Sequence, residues 1–210
     1  MNHSLTGLQA FSQMASRIFE QAISDYHITD SINAEAGNPF AAETIEHLLY
    51  HKCRIDTVQW HVEDEIRRPD IDPVEALGMK RRIDHLNQER TMQVERIDDY
   101  FLSLFANVTP QPAARINTES PAWAVDRLSI LALKIYHMRI ESTREDASPA
   151  HRETCNLKLA VLLEQQADLS QSINELLAGI ATGTTRMKVY RQMKMYNDAS
   201  LNPVLYKGAK

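Results

Sequence analysis

Cysteine is nearly absent from this chain: 210 residues contain two, Cys53 and Cys155, far apart and in no CxxC pair. With that usage the thiols read as reduced and the protein as cytoplasmic. Glycine is also scarce, at 6 residues, and no GxxxxGK[ST], GxGxxG or GxSxG occurs. Aromatic content is a modest 7%. No apolar run is long enough to span a bilayer: the longest, residues 128–135, is broken by Ser129 and Lys134. The N-terminus lacks a basic stretch followed by an apolar one, which excludes a secretory signal. A basic surplus is missing too. The formal charge of −5 argues against nucleic-acid binding, because phosphate contacts need a basic footprint.

What is present is helical punctuation. A capping residue precedes proline four times, at Asn38-Pro39, Asp72-Pro73, Ser120-Pro121 and Ser148-Pro149. The capping side chain accepts from free backbone N–H groups, and proline at the first helical position lacks an N–H that would be wasted there. Asp72 with Glu75, and Thr6 with Gln9, have capping-box spacing. The patterns predict helices over 6–27, 39–68, 73–106, 121–146 and 149–182. The fold class is all-α: a long up-down bundle of about five main helices, with the first packed alongside and a short C-terminal helix or extended basic tail. Residues 1–182 form a single domain. Residues 183–210 form a tail rich in Met and Tyr, docked on the bundle or on a neighbouring copy. Residues 186–210 carry a net +5, leaving −10 on the rest.

The first helix shows a plain apolar face: Leu8, Phe11, Ala15, Ile18, Phe19, Ala22 and Ile23. The later helices interrupt theirs. Lys52, Asp56, Gln59 and Glu63 form one line down the second helix, flanked by Ile45, Leu48, Leu49, Ile55, Val62 and Ile66. On the third, Lys80, Asn87, Thr91 and Asp98 lie within or beside the apolar face, with Asp84 and Arg90 close by. The fourth is apolar almost all round and should be central, yet Asp126, Lys134, His137 and Glu141 cluster on one side. Buried charge is costly unless paired, so these rows are either a structural network that fixes helix register or a cleft with chemistry.

Known metal and catalytic spacings do not fit. His47 and His51 form HxxxH, but Leu48 stands where the zincin glutamate belongs. With His61 they fall opposite the apolar centre and read as a solvated histidine face. No histidine has glutamate three residues before it, which excludes the ferritin-like pattern. The Asp84-His85 pair reverses the histidine-aspartate order of phosphohydrolases. Glu43–Glu46 and Glu95–Asp98 lie too far apart for a nucleotide pyrophosphohydrolase. A divalent cation is compatible with the carboxylates, but no motif specifies a metal site.

Four stretches carry a family resemblance: Trp60-His61-x-Glu63-Asp64, Lys80-Arg81-x-Ile83-Asp84-x-x-Asn87-Gln88-x-Arg90, Asp126-Arg127-Leu128-Ser129-Ile130 and Lys134-Ile135-Tyr136-His137-Met138. In this order they resemble the bacterial family catalogued as domain of unknown function 4254, from about Asn38 to the tail. The resemblance implies a helical fold and a link to cell-surface polysaccharide synthesis, and it transfers no catalytic residue. The expected ligand site draws on Lys52, Asp56, Glu63, Lys80, Asp84, Asn87, Arg90, Asp126, Lys134 and His137. Lys80 and Arg90 would meet an anion, and His137, Asp84 and Glu63 are the candidate proton-transfer or cation-holding groups. The ligand would be a phosphate-containing small molecule, tied to nucleotide-sugar or glycan metabolism by the resemblance. The alternative is a non-enzymatic adaptor that contacts protein partners, or itself, through the tail.

Overall fold

The computed structural model describes residues 10–35, 37–192 and 198–207. Among the described residues six helices run in order: α1 (Phe11–Thr29), α2 (Ile45–Glu65), α3 (Pro73–Leu104), α4 (Pro121–Thr143), α5 (Pro149–Ala181) and α6 (Pro203–Lys207). Two short strands, β1 (Arg115–Ile116) and β2 (Thr185–Arg186), pair in parallel across the long links.

Two of the four proline-marked starts are capped as their sequence suggests. Asp72 accepts from the backbone N–H groups of Val74 and Glu75, and Ser148 accepts from that of His151. At α4 the cap comes from another helix. The buried Asp98 of α3 accepts from the Ser120 hydroxyl at 2.8 Å and the Ala122 N–H at 3.3 Å. The remaining pair is a correction. Asn38-Pro39 makes a turn, Asn38 accepting from the Phe40 N–H and donating to the His47 carbonyl, and α2 starts at Ile45 behind a Thr44 cap. Asparagine before proline serves a turn as well as a helix start, and the sequence pattern does not separate the two. Thr6 and Gln9 lie outside the described residues.

The relative directions of the helices follow from their contacts. Lys52 meets Asp126, Asp56 meets Ser129 and Trp60 meets His137, so α2 and α4 run the same way. Phe19 with Cys53 and Tyr26 with His61 set α1 parallel to α2. Gln59 with Asn87, and Arg90 with Asp126, reverse α3, while Glu141 with His151 reverses α5. The helix that is apolar almost all round, α4, touches α1, α2, α3 and α5. Burial of its Val125, Leu128 and Leu133 against Phe19, Leu49, Val94, Phe101 and Leu177 forms the main core. A smaller cluster of Ile55, Val62, Ile83 and Leu86 joins α2 to α3.

After α5, Gly183 turns the chain with φ of 74° and accepts from the Gln111 N–H, which leads into the β1–β2 pairing. Arg191 then donates to the Glu95 carbonyl and pairs with Asp99 on α3. Met193, Met195 and Tyr196 lie outside the described residues. Among those described, no helix is long and apolar enough to cross a membrane.

Candidate functional site

The polar rows of α2, α3 and α4 meet halfway along the bundle in a charge-balanced quartet. Lys52, fully buried, reaches the Asp56 carboxylate at 2.5 Å, the Asp126 carboxylate at 2.8 Å and the Asp126 carbonyl at 3.1 Å. Arg90 holds Asp126 through two nitrogens, at 2.9 and 2.5 Å, and lies 3.5 Å from Asp56. The Ser129 hydroxyl donates to Asp56 at 2.6 Å. The two carboxylates respond differently. Burial pushes the Asp56 carboxyl above its ordinary range, and Lys52 only partly offsets it. Burial acts on Asp126 as well, but Lys52 and Arg90 together outweigh it and hold that carboxyl below the usual range.

Three members of the quartet, Asp56, Arg90 and Asp126, line a cleft with two lobes that share Arg90 and Ile130, while Lys52 lies beneath it. One lobe, about 330 Å³, is lined by Asp56, Gln59, Trp60, Glu63, Asp64 and Arg67 as well. The other, about 660 Å³, lies between α4 and α5 and includes Asp126, Arg127, Lys134, Gln165, Asp168 and Ser172. In the first lobe two buried acceptors, Asp56 Oδ1 and Gln59 Oε1, have no hydrogen-bond partner among the described residues, although Arg90 approaches Asp56 Oδ1 to 3.5 Å. The Gln59 amide donates to Asn87, which places Asn87 behind the cleft wall.

Not every expected site residue converges here. Lys80 and Asp84 pair with each other on the exposed side of α3 and line neither lobe. They sit at the edge of the apolar arc, where a rotation of a few tens of degrees separates core from solvent. Glu63 lines the cleft but is paired with Arg67 at 2.8 Å. Lys134 is exposed and lines the second lobe.

His137 belongs elsewhere, and here the reading of His61 as a solvated face is corrected. His61 and His137 are half-buried and meet His27, a residue that the sequence reading missed. The three rings form a near-equilateral triangle with centroids 5.1, 5.4 and 5.7 Å apart. Each imidazole also stacks on an aromatic ring from another helix: His27 on Tyr136 (4.5 Å), His61 on Tyr26 (4.7 Å) and His137 on Trp60 (4.8 Å). Those aromatics immediately precede the histidines, as Tyr26-His27, Trp60-His61 and Tyr136-His137. Successive helical residues point about 100° apart. In three parallel helices whose histidines face a common axis, each preceding aromatic therefore swings toward the same-handed neighbour, and the stacks close into a ring. The repeated dipeptide was the available signal, although Tyr50-His51 shares it and does not join. Burial and the neighbouring imidazoles push His137 down to about 4, and burial lowers His61 too, so both are neutral near pH 7.

Neither the curated proteins nor the solved structures contain a significant match to this chain. A family model described as "Protein of unknown function (DUF4254)" matches residues 46–189, which include all of α3, α4 and α5 and nearly all of α2. The match spans the quartet, both lobes of the cleft, His61 and His137, and the chain belongs to that family.

Proposed function

We propose that the protein binds a polyhydroxylated small molecule carrying phosphate, of the sugar-phosphate or nucleotide-sugar class, in the two-lobed cleft. The observation that carries this reading is a pair of buried acceptors that no hydrogen bond reaches among the described residues: Gln59 Oε1, and Asp56 Oδ1, which has only a 3.5 Å ion-pair contact with Arg90, both at the wall of the first lobe. Buried acceptors without a hydrogen bond cost stability, and hydroxyl donors of a ligand would satisfy them. Trp60 supplies an apolar wall suited to the carbon face of a sugar ring. The second lobe supplies Arg127 and Lys134 for an anion, with Arg90 shared between the two. The link to glycan metabolism that the family resemblance implies agrees with this chemistry. The free thiols Cys53 and Cys155 fit a reducing compartment, and we place the protein in the cytoplasm.

Thermal shift against a panel of sugars, sugar phosphates, nucleotide sugars and inorganic phosphate tests the reading. A ligand at a hundred times its dissociation constant adds about 2.7 kcal/mol. Gln59→Leu and Lys134→Ala leave the quartet intact and should each weaken the response. A panel without any dose-dependent shift would sink the proposal. It would favour an oligomerising bundle instead, a reading that draws on exposed Leu157 and Val161 along α5 and on a quartet paired without any ligand. Sedimentation of the ligand-free protein measures that rival directly.

A further inference from the structure

The histidine triangle lies outside the cleft lining, and the reading above does not use it as a binding element. One ring nitrogen from each of His27, His61 and His137 lies within 4.8 Å of the other two. The Nε2 atoms of all three are buried and have no hydrogen-bond partner among the described residues. Packing alone explains this poorly, because a neutral imidazole surrounded by protein normally satisfies both nitrogens.

The surroundings favour a cation. His27 Nδ1 contacts the Asp30 carboxylate at 3.0 Å, the arrangement in which a carboxylate orients a ligating histidine. That contact leaves Nε2 of His27 as the free ligand atom. Asp30 is held in place as the left-handed C-cap of α1, with φ of 48°, and its N–H donates to the Tyr26 carbonyl. Besides the neighbouring imidazoles, the carboxylates Asp30, Asp64 and Glu65 act on His61, and the carboxylate of Asp30 acts on His137. His27 also sits in the last turn of α1, where the helix dipole favours positive charge. The stacked aromatic rings fix the plane of each imidazole, so little side-chain freedom remains to be lost on binding.

We infer that His27, His61 and His137 form a binding site for a first-row divalent transition metal, zinc above all. Imidazole nitrogen suits zinc, and the absence of nearby thiolate or clustered carboxylate ligands disfavours softer and harder ions. At zinc–nitrogen distances of about 2.0–2.1 Å, three tetrahedral ligands stand about 3.3 Å apart. The present separations therefore require each ring to draw in by no more than about 1 Å. Three protein nitrogens leave a fourth position for water or a ligand atom, the open-site arrangement. The ion would tie together α1, α2 and α4 at one end of the bundle.

The test uses tag-free full-length protein, incubated with zinc, passed through gel filtration and assayed for bound metal. Cobalt replaces zinc in a parallel visible-absorption measurement of coordination number. One equivalent is expected to remain, with the intense visible bands of a four-coordinate cobalt site, and zinc should raise the melting temperature. His27→Asn, His61→Asn and His137→Asn should each abolish retention. Asp30→Asn should weaken binding about 10–100-fold. His47→Ala and His51→Ala, which remove the HxxxH pair on α2, should change nothing. Circular dichroism checks the fold of each variant. If a variant does not fold, the wild-type cobalt spectrum decides alone. No retained metal, six-coordinate cobalt, or retention unchanged in the folded histidine variants would overturn the assignment.

Discussion

Replacing Lys52 with Met probes the quartet where the structure makes the sharpest demand. The Lys52 ammonium is wholly buried and bridges both carboxylates, so the variant leaves Asp56 and Asp126 sharing only Arg90. Arg90 already commits two nitrogens to Asp126, so the uncompensated charge falls on Asp56. Breaking a buried pair in this way costs about 3–5 kcal/mol. For a chain of this length each kcal/mol moves the melting temperature by about 2–4 °C, so the loss should be about 6–20 °C near pH 7.5.

The deficit should also depend on pH. Burial already raises the Asp56 carboxyl, and removing Lys52 raises it further. A group whose folded-state pKa exceeds its unfolded one favours the folded protein at low pH, and that advantage fades as pH rises through the folded pKa. The gap between variant and wild type should therefore narrow as pH falls from 8 toward 5, by up to about 1.4 kcal/mol per unit. Adding Asp56→Leu to Lys52→Met should recover much of the stability, because the unpaired charge is gone. Calorimetry of the three proteins across that range measures all of this. A Lys52→Met melting temperature within about 2 °C of wild type, or a gap constant with pH, would show that water reaches the quartet and would refute its description as a dry ionic network.

Other outcomes follow from single contacts. Asp98→Ala removes the side chain that caps α4 from α3 and should cost about 1–3 kcal/mol in chemical denaturation. Gly183→Ala should destabilise by roughly 1–3 kcal/mol, since its φ is 74° and an added Cβ would lie 2.8 Å from the Thr109 carbonyl oxygen. Burial pushes the Cys53 thiol up to about 12, so a thiol-directed reagent should label it only when the protein unfolds, as peptide mapping of labelled protein would reveal.

The legible part of the fold was local. Asp72 and Ser148 cap their helices because a short acceptor before proline meets free N–H groups whatever the rest of the chain does. The all-round apolar pattern of α4 implied its central place, since such a helix has no face to offer water. The Asn38-Pro39 pair misled because a turn and a helix start use the same side chain. Lys52, Asp56, Arg90 and Asp126 were recognisable as polar positions on apolar faces. Lys80 and Asp84 carried the same pattern and face solvent, because position on a helix wheel does not say how far the neighbouring helix extends.

The sequence by itself determined the helices, their central member and the polar rows, because these depend on spacing along one element. Which rows meet, and which remain at the surface, was decided by packing between helices. The histidine triangle shows the division most clearly. Tyr26-His27, Trp60-His61 and Tyr136-His137 were visible as three separate dipeptides, but they close into one ring of stacks only because α1, α2 and α4 run parallel. Helix direction is set by the links and by the core against which each helix is buried, and no residue within a dipeptide encodes it.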